Sequence, residues 1–176
     1  MLWGAGCVST PENLASTSAV DQPVGTVCAG GVMPPPAGLS EVTDPALLET
    51  ALGAAGQGKL CAGKVFVVEQ PVTVYRVWDS AKSYTALGRW WSFELPEGPK
   101  SDYRKDNDIC PAWSALNQMS SCRLKVGAKI VVGPGQSAQC KCFKYPKSAV
   151  NQVFIPNDTR NHHVDVEFCT SGVDWP

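Results

Sequence analysis

Three short segments carry the side chains best suited to chemistry: VYRVW with Arg76, GRWWSF with Ser92, and NQVFIP with Gln152. Each is a strand-like run that holds a polar residue among aromatic or β-branched ones. An arginine inside a strand offers a planar fork that binds phosphate oxygens bidentately and stays charged. Trp90, Trp91 and Phe93 supply flat faces for a ring, with a cation–π attraction of about 0.5–2 kcal/mol for a cationic one. Adjacent tryptophans on a strand point to opposite faces, so one of the pair enters the core; Trp91 is taken as the ligand-facing ring. The Ser92 hydroxyl can donate and accept a hydrogen bond, and the neutral Gln152 carboxamide can orient a hydroxyl or a water but cannot pair with a cation as a carboxylate does. Alone, each residue has an ordinary role, Arg76 at a strand rim and Ser92 and Gln152 as sheet polar groups. Their joint occurrence suggests a site for an anion joined to a flat ring.

The elements that must position these side chains are mostly strands. KVFVVEQ, PVTVYRVW, RWWSFEL, CRLKV, AKIVVG, VNQVFIP and HHVDVEFC are β-branched or alternating runs separated by turn residues, which predicts about six short strands. In PVTVYRVW, Val72, Val74, Arg76 and Trp78 share one face. Before them, Asp44 is a candidate N-cap with Pro45 at the first helical position. Leu47, Leu48 and Leu52 lie on one side and Gly53 and Gly56 follow, which predicts a short helix over 45–54. SDYRKDND adds a helical turn whose Tyr103, Arg104 and Lys105 read as a solvated cluster, and Asp79 reads as a turn or capping residue. Residues 1–43, rich in Pro, Gly, Ser, Thr and Ala, predict an irregular N-terminal arm pinned through Cys7 and Cys28; residues 44–176 form the domain. The loop GPGQSAQ, 133–139, is a candidate flap, with Gln136 and Ser137 as candidate contacts.

With 176 residues the chain is of single-domain size, and its formal net charge of −1 gives no organising attraction to nucleic acid or anionic lipid. No apolar run approaches the roughly 18 residues of a membrane span. The opening LWGAGC is too short and uncharged for a secretory leader, so export implies a leader removed or carried by a larger parent chain. Eight cysteines, with only Cys140 and Cys142 closely spaced and those too tight for a zinc knuckle, predict disulfides made in an oxidising compartment and no metal. Asn157-Asp158-Thr159 is a glycosylation sequon. His162 and His163 are adjacent, so on a strand they face opposite ways and do not share a metal.

The order of Arg76, Ser92 and Gln152, the last followed by VFIP, resembles the ADP-ribosyltransferase superfamily. Within that superfamily, YRVW, GRWWSF and QVFI are similar to the toxin domains that destroy NAD, of the tuberculosis necrotizing toxin and fungal NAD glycohydrolase type. The resemblance spans about residues 64–170. It implies an α+β fold with a split, mostly antiparallel β core. It also implies NAD as the substrate, Arg76 on the pyrophosphate, Trp91, Phe93 and Ser92 at the nicotinamide ribose, and Gln136 in the flap. Gln152, where transferases carry glutamate, shifts the implied reaction toward hydrolysis of the nicotinamide–ribose bond, with an ADP-ribosyltransferase toxin that modifies a macromolecule as the alternative. A secreted or exported toxin with an immunity partner follows from the same resemblance. Two other classes fit the residues. A ribonuclease toxin would use His162 or His163 as general base, and a disulfide-rich β module would bind glycan or protein through its tryptophans without catalysis.

Overall fold

The structure is a computed structural model that describes residues 27–176. Cys7 and the arm before residue 27 lie outside the described residues. The fold is α+β, with antiparallel sheets and little helix. A five-stranded sheet runs in the order β1 (Leu39–Val42), β2 (Lys64–Val68), β6 (Lys129–Pro134), β9 (Asn151–Phe154) and β4 (Trp90–Trp91). The second sheet is built on β5 (Gln118–Leu124). One edge of β5 takes β3 (Thr73–Trp78); the other takes β10 (Val166–Glu167) and β11 (Val173–Asp174). A small ribbon joins β7 (Ala138–Gln139) to β8 (Lys144–Tyr145). The two main sheets meet where Tyr75 of β3 exchanges both backbone hydrogen bonds with Ser92, just past β4.

Side-chain alternation divides the core. Phe66 and Val68 of β2, Ile130 and Val132 of β6, and Val153 of β9 face the second sheet, with Val74, Cys122 and Leu124. Val65, Val131 and Phe154 face the other way, under the short helix α1 (Pro45–Ala51). That helix starts as the sequence predicts: the Asp44 carboxylate accepts the Leu47 N–H at 3.1 Å and Pro45 follows it. A second short helix, α2, spans Lys100–Asp106.

Three disulfides tie the long connections to the sheets: Cys28–Cys61, Cys110–Cys140 and Cys122–Cys169. Cys142 is also disulfide-bonded. These bridges, and the absence among the described residues of any helix long and apolar enough to cross a membrane, are compatible with an extracellular protein.

Several expectations need correction. The arm does not stay irregular to residue 43, because Leu39–Val42 pairs with β2 in full register and Val32 and Met33 pack on the core. RWWSFEL yields only the two residues of β4, since Ser92 leaves the five-stranded sheet to bond Tyr75. Asn157 of the sequon is buried; its Nδ2 donates to Gly88 O and its Oδ1 accepts Asp165 N–H, so the amide is not free for a glycan in the folded protein. Arg104 is not part of a solvated cluster: it is buried and donates to the carbonyls of Cys110, Ser114 and Ala115. Asp79 keeps its turn role, accepting Ala81 N–H and Ala115 N–H.

Candidate functional site

Arg76 and Gln152 border one cavity of about 450 Å³, although they lie on different sheets. Arg76 stands on β3 where that strand meets β4. Its Nε donates to Thr85 O at 2.7 Å and its Nη1 to Trp90 O at 2.6 Å. Gly88 leaves the room for this arrangement: a Cβ there would lie 2.6 Å from Arg76 Cζ and closer still to Nη2. Among the described residues no carboxylate forms an ion pair with Arg76. Burial lowers its pKa to about 10, so the guanidinium remains charged at neutral pH. A guanidinium held by two carbonyls, with the Trp91 ring centroid 6.0 Å from its Cζ, keeps its charge beside the cavity without a carboxylate among the described residues.

Gln152 of β9 is 5% exposed, and its Nε2 donates to Asn107 O at 3.2 Å. Trp90 and Trp113 add aromatic walls, and Lys59 adds a second cation. The expected ring is therefore wrong by one position. Trp91 is 3% exposed and points into the main core, with its indole N–H on Gly88 O; alternation along β4 and β9 puts Trp90 on the side of Gln152 and Phe154 instead.

Ser92 and Phe93 line a different groove, of about 740 Å³, and the Ser92 hydroxyl donates to Glu94 O at 2.6 Å. Asn107 borders both hollows. Four carboxylates, from Glu94, Glu97, Asp102 and Asp106, and no cation line that groove, so it does not suit a phosphate. Gln136 is 1% exposed and serves the fold: its Nε2 donates to Gly53 O, and its Oε1 accepts from the Ser137 N–H and hydroxyl. Residues 133–138 are buried beneath the 53–60 connection, so GPGQSAQ is a wall rather than a flap.

Asp108 carries no local signal that marks it out in KDND. Helix α2 ends with Ile109 N–H on Arg104 O and Asp108 N–H on Lys105 O, the double bond pattern of a Schellman motif. Asp108 takes the left-handed position of that motif, φ 54°, where glycine is the common residue. The residue borders the Arg76–Gln152 cavity and is 2% exposed, and among the described residues neither carboxyl oxygen has a hydrogen-bond partner. Burial, reinforced by the nearby charge of Asp106, raises the carboxyl pKa to about 7. Gly135 makes the approach possible: a Cβ there would overlap Asp108 Oδ2 and lie 3.1 Å from Gln152 Nε2. Carboxyl and carboxamide thus converge on one glycine.

Neither histidine borders this cavity. His163 Nε2 lies 2.9 Å from Asp165 Oδ2, and His162 closes a surface turn with φ 57°. No family model, no curated protein and no solved structure matches the chain.

Proposed function

We propose that the protein is an NAD glycohydrolase of the ADP-ribosyltransferase type, exported to an oxidising compartment. The observation that carries this reading is the placement of Arg76 and Gln152, distant in sequence, on one cavity whose guanidinium has no carboxylate partner among the described residues. The cavity volume falls in the range of small-molecule sites.

In this reading Arg76, with Lys59, holds the pyrophosphate, Trp90 or Trp113 takes the face of the nicotinamide ring, and Gln152 bonds a ribose hydroxyl or the attacking water. Binding energy from the phosphates holds the ribose while its bond to nicotinamide breaks through an oxocarbenium-like transition state. The ribonuclease alternative lacks a histidine at this cavity, and a glycan-binding module has no use for a guanidinium without a carboxylate partner among the described residues.

The test is incubation of the oxidised protein with NAD while free nicotinamide is measured. Release by the wild type, with a loss of at least 100-fold in Arg76→Ala and Gln152→Ala at unchanged near-UV circular dichroism, supports the reading. Absence of release from the folded wild type refutes it.

A further inference from the structure

Asp108 combines three unfavourable features that nothing among the described residues offsets. A non-glycine residue occupies a left-handed position, both carboxyl oxygens are buried and have no hydrogen-bond partner among the described residues, and Gly135 is needed to admit them. A purely structural helix end would be served by glycine or asparagine. Strain and an unsatisfied buried group at a cavity wall indicate a role that a ligand completes. The charged neighbours leave the carboxyl free for that role. Asp106 in the preceding turn carries the same sign. Lys59 and Arg76 border the cavity without forming an ion pair with it, and Arg104 is turned onto three backbone carbonyls. From the strand side the facing groups are neutral: Gly135, Ser148 and Gln152.

Resting on the NAD glycohydrolase reading, we propose that Asp108 is the general base of the cleft, accepting the proton of the water that adds to C1′ of the nicotinamide ribose. The C1′–N1 bond breaks with both electrons passing to N1, so the pyridinium leaves as neutral nicotinamide and C1′ becomes electron-poor. The water oxygen bonds C1′ and transfers a proton to the Asp108 carboxylate, which afterwards releases it to solvent. Nothing is oxidised or reduced. Gln152 and Asp108, converging at Gly135, hold that water from two sides, one by an amide and one by a carboxylate. Among the described residues no donor occupies either carboxyl oxygen, so both keep their acceptor capacity for a water admitted to the cleft.

A base must be deprotonated, and a carboxyl with a pKa near 7 gives a rate that climbs with pH through that region and then levels. The experiment measures nicotinamide release by the full oxidised chain from pH 5 to 9, for wild type, Asp108→Asn and Asp108→Gly. The glycine variant suits the left-handed backbone and covers the case in which the asparagine variant does not fold. The expected result is a loss of about 10²–10⁴-fold in kcat with disappearance of the acidic limb, and partial recovery of the glycine variant with added formate or azide. Binding of ADP-ribose should stay within threefold, since the phosphates lie on Arg76. A wild type that releases no nicotinamide overturns this role together with the reading beneath it. An active wild type whose variants keep rates within threefold, or keep the same acidic limb, overturns the role of Asp108 alone.

Discussion

The most searching perturbation does not touch the cavity lining. Gly88 has φ −71° and ψ −167°, backbone that alanine adopts without strain. Its added methyl, however, would stand 2.6 Å from Arg76 Cζ. Carbon atoms in contact sit about 3.5–4.0 Å apart, so the guanidinium must retreat by about 1 Å. Retreat lengthens the 2.7 Å bond to Thr85 O and the 2.6 Å bond to Trp90 O beyond hydrogen-bond range. Each such charged bond contributes about 1.5–3 kcal/mol net, and water at the cavity restores part of it, so Gly88→Ala should cost about 3 kcal/mol. The assay is a double-mutant cycle by urea unfolding with disulfides intact, paired with titration of ADP-ribose. In the Arg76→Ala background the space is vacant, and Gly88→Ala should cost under about 0.5 kcal/mol. In the Arg76 background it should weaken ADP-ribose at least tenfold. An equal cost in both backgrounds, or unchanged ligand affinity, would show that Gly88 does not act through the guanidinium.

Three further outcomes follow from the same geometry. Asp108 has a folded pKa of about 7 against an ordinary 3.8, so the unfolded chain ionises first; the stability it contributes is present below about pH 4 and lost as pH rises to 7. Asp108→Asn should therefore match the wild type near pH 4 and exceed it by about 1–3 kcal/mol above pH 7 in chemical unfolding, whereas a pH-independent gap would contradict the buried ionisation. The Cys110–Cys140 bridge, 30 residues apart, anchors the segment that follows Asp108 and carries Trp113. Its double serine variant should lose about 3–4 kcal/mol and bind ADP-ribose more weakly, measured by unfolding and calorimetry. Trp91→Ala should cost about 3–5 kcal/mol through the core, while Trp90→Ala should show the larger loss of ligand affinity; reversal of that order would restore Trp91 as the ligand-facing ring.

Local chemistry explains which parts were readable in advance. Asp44 and Pro45 carry the start of α1 by themselves, and β2, β6 and β9 declare themselves through runs of valine, isoleucine and phenylalanine. β1 does not, because LSEV becomes a strand only through its pairing with β2 across an intervening helix. Gln136 misled for the same reason: a polar residue in a glycine-rich loop reads as exposed until the 53–60 connection covers it. Arg76 and Gln152 were legible as polar residues inside strand patterns, and alternation was legible at the tryptophan pair, but the face that turns inward depends on the partner strands. Asp108 was not legible at all. Nothing in KDND distinguishes a solvated turn from one pressed against Gly135 on another strand.

The two unpaired charges also limit what the cavity can be for. Arg76 and Asp108 border the same hollow, yet neither forms an ion pair with the other or with any other described residue. If both were there for stability, the simplest arrangement would bring them together, since breaking or withholding a buried pair leaves each charge uncompensated. In the proposed reading the ligand is itself divided, with an anionic part for Arg76 and Lys59 and an electron-poor part for Asp108. Single-stranded RNA offers phosphates but no cation, and a neutral glycan offers neither. A dinucleotide whose pyrophosphate is joined through ribose to a pyridinium offers both. Its positive charge also passes to the ribose as the glycosidic bond breaks, so a carboxylate near C1′ gains interaction in the transition state over the ground state, the difference on which catalysis depends.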